Sequence, residues 1–201
     1  MAYKIEVNSL IKESFEVYKP LWKTFLAIMA VFAVFGAMFN YLTAPAMGSA
    51  AFINSLILML PALILGAGMI RYALAVVDGK PCAFADIFKA YDVIVPFFLV
   101  SAGYNAAVFL GTLLLIVPGV ILSVRLLFAT YVVIDGKAGV VDAFKMSFEK
   151  TKGLFWDISL LFVALIGVNI VGVLALGVGL LVTLPVTIIA MAKVYRGIFR
   201  S

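Results

Sequence analysis

Three long stretches of this chain contain no Asp, Glu, Lys or Arg, and their lengths limit what it can fold into. Thr24 to Ile70 runs 47 residues, Val93 to Val124 runs 32, and Ile158 to Ala192 runs 35. One helical crossing of a bilayer needs about 20 residues. The first and third runs are each too long for one span and suit two. The second suits two as well once Arg125 and the apolar stretch to Ile134 are included. A composition of 66% hydrophobic and 12% charged residues agrees; a soluble domain carries about a quarter charged. The expected fold is therefore all-α: a polytopic membrane bundle of six transmembrane helices, forming a single domain over 1–201. Spans are expected near 21–42, 50–76, 93–110, 113–134, 155–172 and 175–196.

The charges set an orientation. The 15 basic residues lie before, between or after the runs or near the inner ends of helices, and the first hairpin turn, Thr43 to Ala51, carries none. Lys and Arg mark the cytoplasmic side, so both termini are expected in the cytosol. A cleaved signal peptide is the competing reading of the first run, since Lys19, Lys23, an apolar run and Ala44-Pro45-Ala46 mimic its three regions. That apolar run of about 19 residues exceeds the usual length of 7–15, and cleavage would remove the first of three matching units. Cys82 is the single cysteine, so no intrachain disulfide forms. Its expected role is a small apolar residue beside the interface, with acylation the alternative.

The units match through two independent series. Ser9-Leu10-Ile11-Lys12-Glu13-Ser14-Phe15-Glu16 reappears as Asp142-Ala143-Phe144-Lys145-Met146-Ser147-Phe148-Glu149, with a shorter copy at Asp86-Ile87-Phe88-Lys89. Apolar residues recur there at helical spacing: Ile11, Phe15 and Tyr18; Phe84, Ile87, Phe88 and Tyr91; Val141, Phe144 and Phe148. Lys12 with Glu16, and Lys145 with Glu149, occupy opposite faces. These segments are expected as amphipathic helices lying in the cytosolic interface. The second series is Pro-x-x-Ile at Pro61, Pro118 and Pro185. Pro61 precedes Asp78-Gly79-Lys80 by 17 residues, and Pro118 precedes Asp135-Gly136-Lys137 by the same 17. Three parallel repeats follow, near 5–77, 78–134 and 135–201, each an interfacial helix, a span out and a proline-kinked span back. Parallel repeats are related by an axis along the membrane normal, here a pseudo-threefold.

Few residues are equipped for chemistry. Arg125 lies ten residues before Asp135, about 15 Å along a straight helix, and Arg at that depth costs at least about 2.5–3.5 kcal/mol on insertion scales. It should face the bundle with a partner, either an anionic ligand or an internal one such as Asp157 or carbonyls freed near Pro118, or else snorkel toward the surface. Arg71 is shallower and expected to snorkel, and Arg196 to anchor the end of the last span. Asp157 could relay protons, but no second deep carboxylate or histidine accompanies it. Asn54, Asn105 and Asn169 are expected to bond between helices, while Gly66, Gly68, Gly167 and Gly172 permit close approach. Lys12, Lys19, Lys23, Lys145, Lys150 and Lys152 form a basic rim suited to anionic headgroups. Glu13, Glu16, Asp92 and Glu149 interrupt the rim, and no nucleic-acid motif is present. There is no phosphate loop, metal-ligand cluster, catalytic triad or close pair of deep carboxylates, so no catalytic residue, metal or cofactor is expected.

Leu115-Ile116-Val117-Pro118-Gly119-Val120-Ile121-Leu122-Ser123-Val124-Arg125, with Asp142-Ala143-Phe144-Lys145-Met146-Ser147 and Thr151-Lys152-Gly153, resembles the membrane domain attached to some bacterial glycerophosphodiester phosphodiesterases. Stand-alone YciC-like six-span inner-membrane proteins look similar. The resemblance is strongest over 110–200. It implies a bacterial or archaeal plasma membrane and a non-catalytic bundle, because in the fused enzymes the chemistry belongs to a separate soluble domain. Three functions are open at this level: a module binding membrane lipids of anionic type, a small-solute transporter or channel along the pseudo-threefold axis, and a membrane scaffold for a protein partner.

Overall fold

In hydrocarbon a chain must satisfy its own backbone N–H and C=O groups, so long apolar runs fold as helices. The computed structural model describes residues 5–43, 49–175 and 177–199, and among these no strand occurs. A short helix, α1 (Val7–Tyr18), leads through a 3-10 turn at Lys19–Leu21 into α2 (Trp22–Thr43), and α3 (Ser49–Val77) returns. Two 3-10 turns, Phe84–Phe88 and Ala90–Val93, precede α4 (Ile94–Leu114). The second return is split into α5 (Ile116–Leu126) and α6 (Ala129–Ile134). A short α7 (Val140–Lys150) then precedes α8 (Phe155–Leu174) and α9 (Leu180–Phe199). Six helical stretches are long and apolar enough to cross a membrane, making this a multi-pass bundle.

The span boundaries match the expectation closely except at the outer turns. The second hairpin reverses at Leu115, whose backbone is extended, and not near 110–113. The third reverses over 175–179 and not at 172–175. Residues 44–48 of the first turn, with Ala44-Pro45-Ala46, lie outside the described residues.

The prolines act differently from expectation. Pro61 and Pro185 do lie inside helices. Pro118, however, is the third residue of α5, where its missing N–H would have no intrahelical partner anyway. The break in that return comes later, at Leu127 and Phe128, without a proline. There the Ser147 and Thr151 hydroxyls of the α7 segment donate to the Arg125 carbonyl at 2.7 and 3.3 Å. Side chains that occupy a carbonyl of the helical ladder are an established cause of kinks.

The short segments pack on return helices. On α1, Glu13 meets Lys193 of α9 at 3.0 Å, and the Tyr18 hydroxyl donates to the Leu181 carbonyl at 3.4 Å. The turn at Phe84–Phe88 lies against α3, and α7 against α5 and α6. Tyr18 and Ile87 of the expected apolar faces are buried in these contacts. Leu10, Ser14 and Tyr18 are buried on α1, and Ala143 and Ser147 on α7. Phe15, Phe88, Tyr91, Val141 and Phe148 are exposed instead. The middle segment forms two 3-10 turns, burying Ile87 and Ala90, and no α-helix. On the polar faces Glu16 pairs with Lys19 and Asp142 with Lys145.

Close approach is most demanding at Gly68, where a Cβ would overlap the backbone carbonyl of Ile87. Gly172 similarly backs the Thr183 hydroxyl, whereas Gly167 faces open space. Gly68→Ala should therefore lower stability by about 1–3 kcal/mol, the usual cost of overpacking, while Gly36→Ala, where nothing lies within 4 Å, should not. Thermal unfolding of the two variants in the same detergent checks the contrast.

Candidate functional site

Among the described residues three arginines lie within or at the end of return helices, and they differ in what surrounds them. Arg196, near the end of α9, reaches the carboxylates that terminate the other two returns. Its Nη1 lies 2.6 Å from Asp135 Oδ2 and its Nη2 2.8 Å from Asp78 Oδ2. All three side chains are buried, at 11%, 14% and 5% exposure. The carboxylates are held by matching turns. Gly79 and Gly136 adopt φ of 67° and 70°, conformations in which glycine avoids Cβ strain. Each turn returns backbone N–H groups to the helix, Gly79 to Val76 and Lys80 to Ala75, Gly136 to Val133 and Lys137 to Val132, the pattern of a Schellman cap. The Tyr195 hydroxyl donates to Asp135 at 3.0 Å, and Lys137 lies 3.4 Å from the same carboxylate. Burial pushes the Asp135 carboxyl up, but Arg196, Tyr195 and Lys137 outweigh it and hold it below its ordinary range. Arg196 is thus a three-helix clasp, a role beyond the expected end anchor.

Arg71 is also paired, in place of the expected snorkelling. Its two terminal nitrogens hold Asp92 at 2.8 and 2.7 Å, and Nη1 also donates to the Lys89 carbonyl at 3.1 Å.

Arg125 stands apart. It is partly buried at the end of α5, its guanidinium carbon 4.5 Å from the centre of the Phe148 ring. Its buried Nε has no hydrogen-bond partner, and among the described residues its side chain forms no ion pair. Asp157 is not the partner. It occupies the first turn of α8, where a carboxylate is favoured by the helix dipole, and makes no ion pair among the described residues. Arg125 is consequently a cation within a candidate span that lies over an aromatic ring and makes no ion pair among the described residues.

The asparagines divide. Asn169 bonds across to Thr187 of α9 at 2.9 Å, and Asn54 to the Leu42 carbonyl at 2.7 Å, as expected. Asn105 does not: it is exposed on α4 and donates to Ser101 of its own helix at 2.7 Å. All six rim lysines are exposed. Lys19 pairs with Glu16, Lys145 with Asp142, and Lys23 lies over Trp22. An apolar groove of about 520 Å³ runs between α2 and α3, lined by Val34, Phe35, Met38, Leu60 and Pro61, and has no polar lining to distinguish it from lipid-facing surface. No group of His, Cys, Asp and Glu able to hold a metal occurs among the described residues.

No family model and no solved structure matches the chain at a significant level. The uncharacterized protein Rv2560 of Mycobacterium tuberculosis is 29% identical over 155 residues, covering 76% of this chain and 46% of that protein. The uncharacterized protein Mb2590 of Mycobacterium bovis aligns to the same extent. The chain spans about half the length of the curated relatives it matches.

Removing the clasp leaves Asp78 and Asp135 with only the more exposed Lys80 and Lys137, 3.6 and 3.4 Å away. Arg196→Ala should cost about 3–5 kcal/mol, the usual effect of breaking a buried pair, read as a loss of thermal stability in detergent. The depressed Asp135 fixes the sign of the pH response. A carboxylate whose folded pKa lies below its unfolded value stabilises fully above the unfolded value and loses that contribution as pH falls through the folded one. Stability from Asp135 should hold above about pH 5 and fall below about pH 4, and Asp135→Asn should blunt that acid-dependent decline.

Proposed function

We propose that this chain is a non-catalytic membrane module that binds an anionic lipid, or a lipid-derived headgroup, at Arg125. The observation carrying this reading is the contrast among the three arginines. Arg71 and Arg196 are ion-paired with Asp92, Asp78 and Asp135, although the Arg196 Nε, like that of Arg125, has no hydrogen-bond partner. Arg125 has a ring beneath it and no carboxylate beside it. An unpaired cation within a span is costly and marks a functional site by default. A phosphate or carboxylate would meet its N–H groups in the bidentate geometry that guanidinium favours.

The surroundings fit the same reading. In this proposal the rim lysines lie toward the cytosolic leaflet, both termini are cytosolic, and anionic headgroups gather there before one engages Arg125. The three units form parallel repeats around a pseudo-threefold axis. Support comes from the matching Asp-Gly-Lys turns and from each short segment packing on a return helix: Phe84–Phe88 on α3, α7 on α5 and α6, and α1 on α9. The exposed Phe15, Phe88 and Phe148 suit insertion into the headgroup boundary. The resemblance to the membrane domain of glycerophosphodiester phosphodiesterases, with a plasma-membrane location, is part of the same proposal. A conducting path along the axis is less favoured, because Phe128, Tyr131, Tyr195 and Phe199 stack together beside the Arg196 clasp.

Native mass spectrometry of gently extracted protein tests the reading. Wild type should retain an anionic lipid that Arg125→Gln loses, with both proteins equally folded by thermal melt. Equal retention by the two would make Arg125 a structural residue.

A further inference from the structure

A second candidate site lies on the other side of the bundle, where α1 meets α8 and α9. A cavity of about 400 Å³ opens between these three helices. Its walls are apolar over most of their extent: Ile11 and Phe15 on α1, Val168 on α8, Val182 and Val186 on α9. Three polar side chains interrupt them. Thr183 lines the cavity with its hydroxyl turned against Gly172 of α8. Lys12 and Asn8, one turn apart on α1, line it as well, and neither has a side-chain partner among the described residues. A neighbouring cavity of about 540 Å³ shares Asn8 and continues between α1 and α8 past Leu160 and Ala164. Glu6 lines that second cavity and not the first, and six residues of helix, about 9 Å, separate it from Lys12.

An apolar slot in a membrane bundle with a free cation at one end matches the shape and polarity of an amphiphile. The slot has room for one acyl chain and not for a two-chain lipid, so the rest of the molecule must lie outside it. Lys12 fixes the sign of the headgroup, because a cation beside hydrocarbon gains by pairing. The Asn8 amide offers hydrogen bonds to the ester region, which an unfunctionalised hydrocarbon could not use.

We propose that the cleft between α1, α8 and α9 holds one acyl chain of an anionic membrane lipid, with its headgroup on Lys12. The inference extends the lipid-binding reading to a site that shares no residue with Arg125, so the two can fail separately.

Delipidated full-length protein titrated with phosphatidylglycerol, and in parallel with phosphatidylcholine of the same chains, tests it by native mass spectrometry. Wild type should take two phosphatidylglycerol molecules. Val182→Phe, which fills the slot, should take one, and Arg125→Gln should lose the other. Lys12→Gln should weaken one phosphatidylglycerol equivalent about five-fold, the effect of one basic side chain near an anionic headgroup, with phosphatidylcholine unchanged. Should Val182→Phe not fold, Val168→Phe fills the slot from the α8 wall instead. Wild-type phosphatidylglycerol binding by both Lys12→Gln and a folded slot-filling variant would overturn the proposal. So would equal affinity of the wild-type slot for the two lipids. Loss of binding in Arg125→Gln alone would support the first site and reject this one.

Discussion

The bundle depends on one guanidinium held between two carboxylates. Arg196 joins the ends of α3, α6 and α9 through Asp78 and Asp135. In hydrocarbon, apolar side chains gain little by leaving lipid for one another, so helix association rests on packing and polar contacts. A buried triad at the helix ends therefore does what a hydrophobic core does in water, with more directional control. The aromatic stack of Phe128, Tyr131, Tyr195 and Phe199 fills the space beside it. Burial also makes the arrangement sensitive to loss of either sign, since a lone charge left in that setting is worse than no charge.

The short segments use a second polar device. Ser147 and Thr151 present hydroxyls to the Arg125 carbonyl, and the buried Ser14 on α1 occupies the matching place in its own sequence unit, donating to Leu10 of its own helix at 2.7 Å. Satisfying the Arg125 carbonyl from α7 breaks the second return into α5 and α6. The same break places the Arg125 side chain beside Phe148 of α7. Architecture and candidate site are coupled there: the residue whose carbonyl receives the short helix is the one whose side chain is left without a counter-ion.

Much of the fold was legible because charge-free run length is a strong signal when a bilayer is the solvent. Six spans and most of their boundaries follow from it. The outer turns at Leu115 and 175–179 were harder, since no charge marks them and Leu or Val suits helix and turn alike at that depth. In the short segments Tyr18 and Ile87 of the faces read as apolar are buried, Phe15, Phe88 and Phe148 are exposed, and small or hydroxylated residues such as Ala143 and Ser147 pack inward. Pro118 was placed in a kinked interior because Pro-x-x-Ile matched two prolines that do lie there. Arg196 was read as an anchor because nothing in its neighbourhood of sequence announces a partner. The signal was present elsewhere, in two Asp-Gly-Lys turns at equal distance from their prolines, each offering a carboxylate with no assigned cation. Arg125 was singled out for its expected depth; Asp157 does not pair with it, its first-turn position on α8 giving it a local reason to exist.

The division of labour among the arginines, two for assembly and one for a ligand, is the central claim. It is tested most directly by an experimental structure of the protein in a bilayer of its native lipids. The account predicts a headgroup phosphate or carboxylate within hydrogen-bond distance of the Arg125 guanidinium, with Arg71 and Arg196 still on their aspartates. An Arg125 side chain paired with a carboxylate of the protein, and no headgroup beside it, would contradict the account.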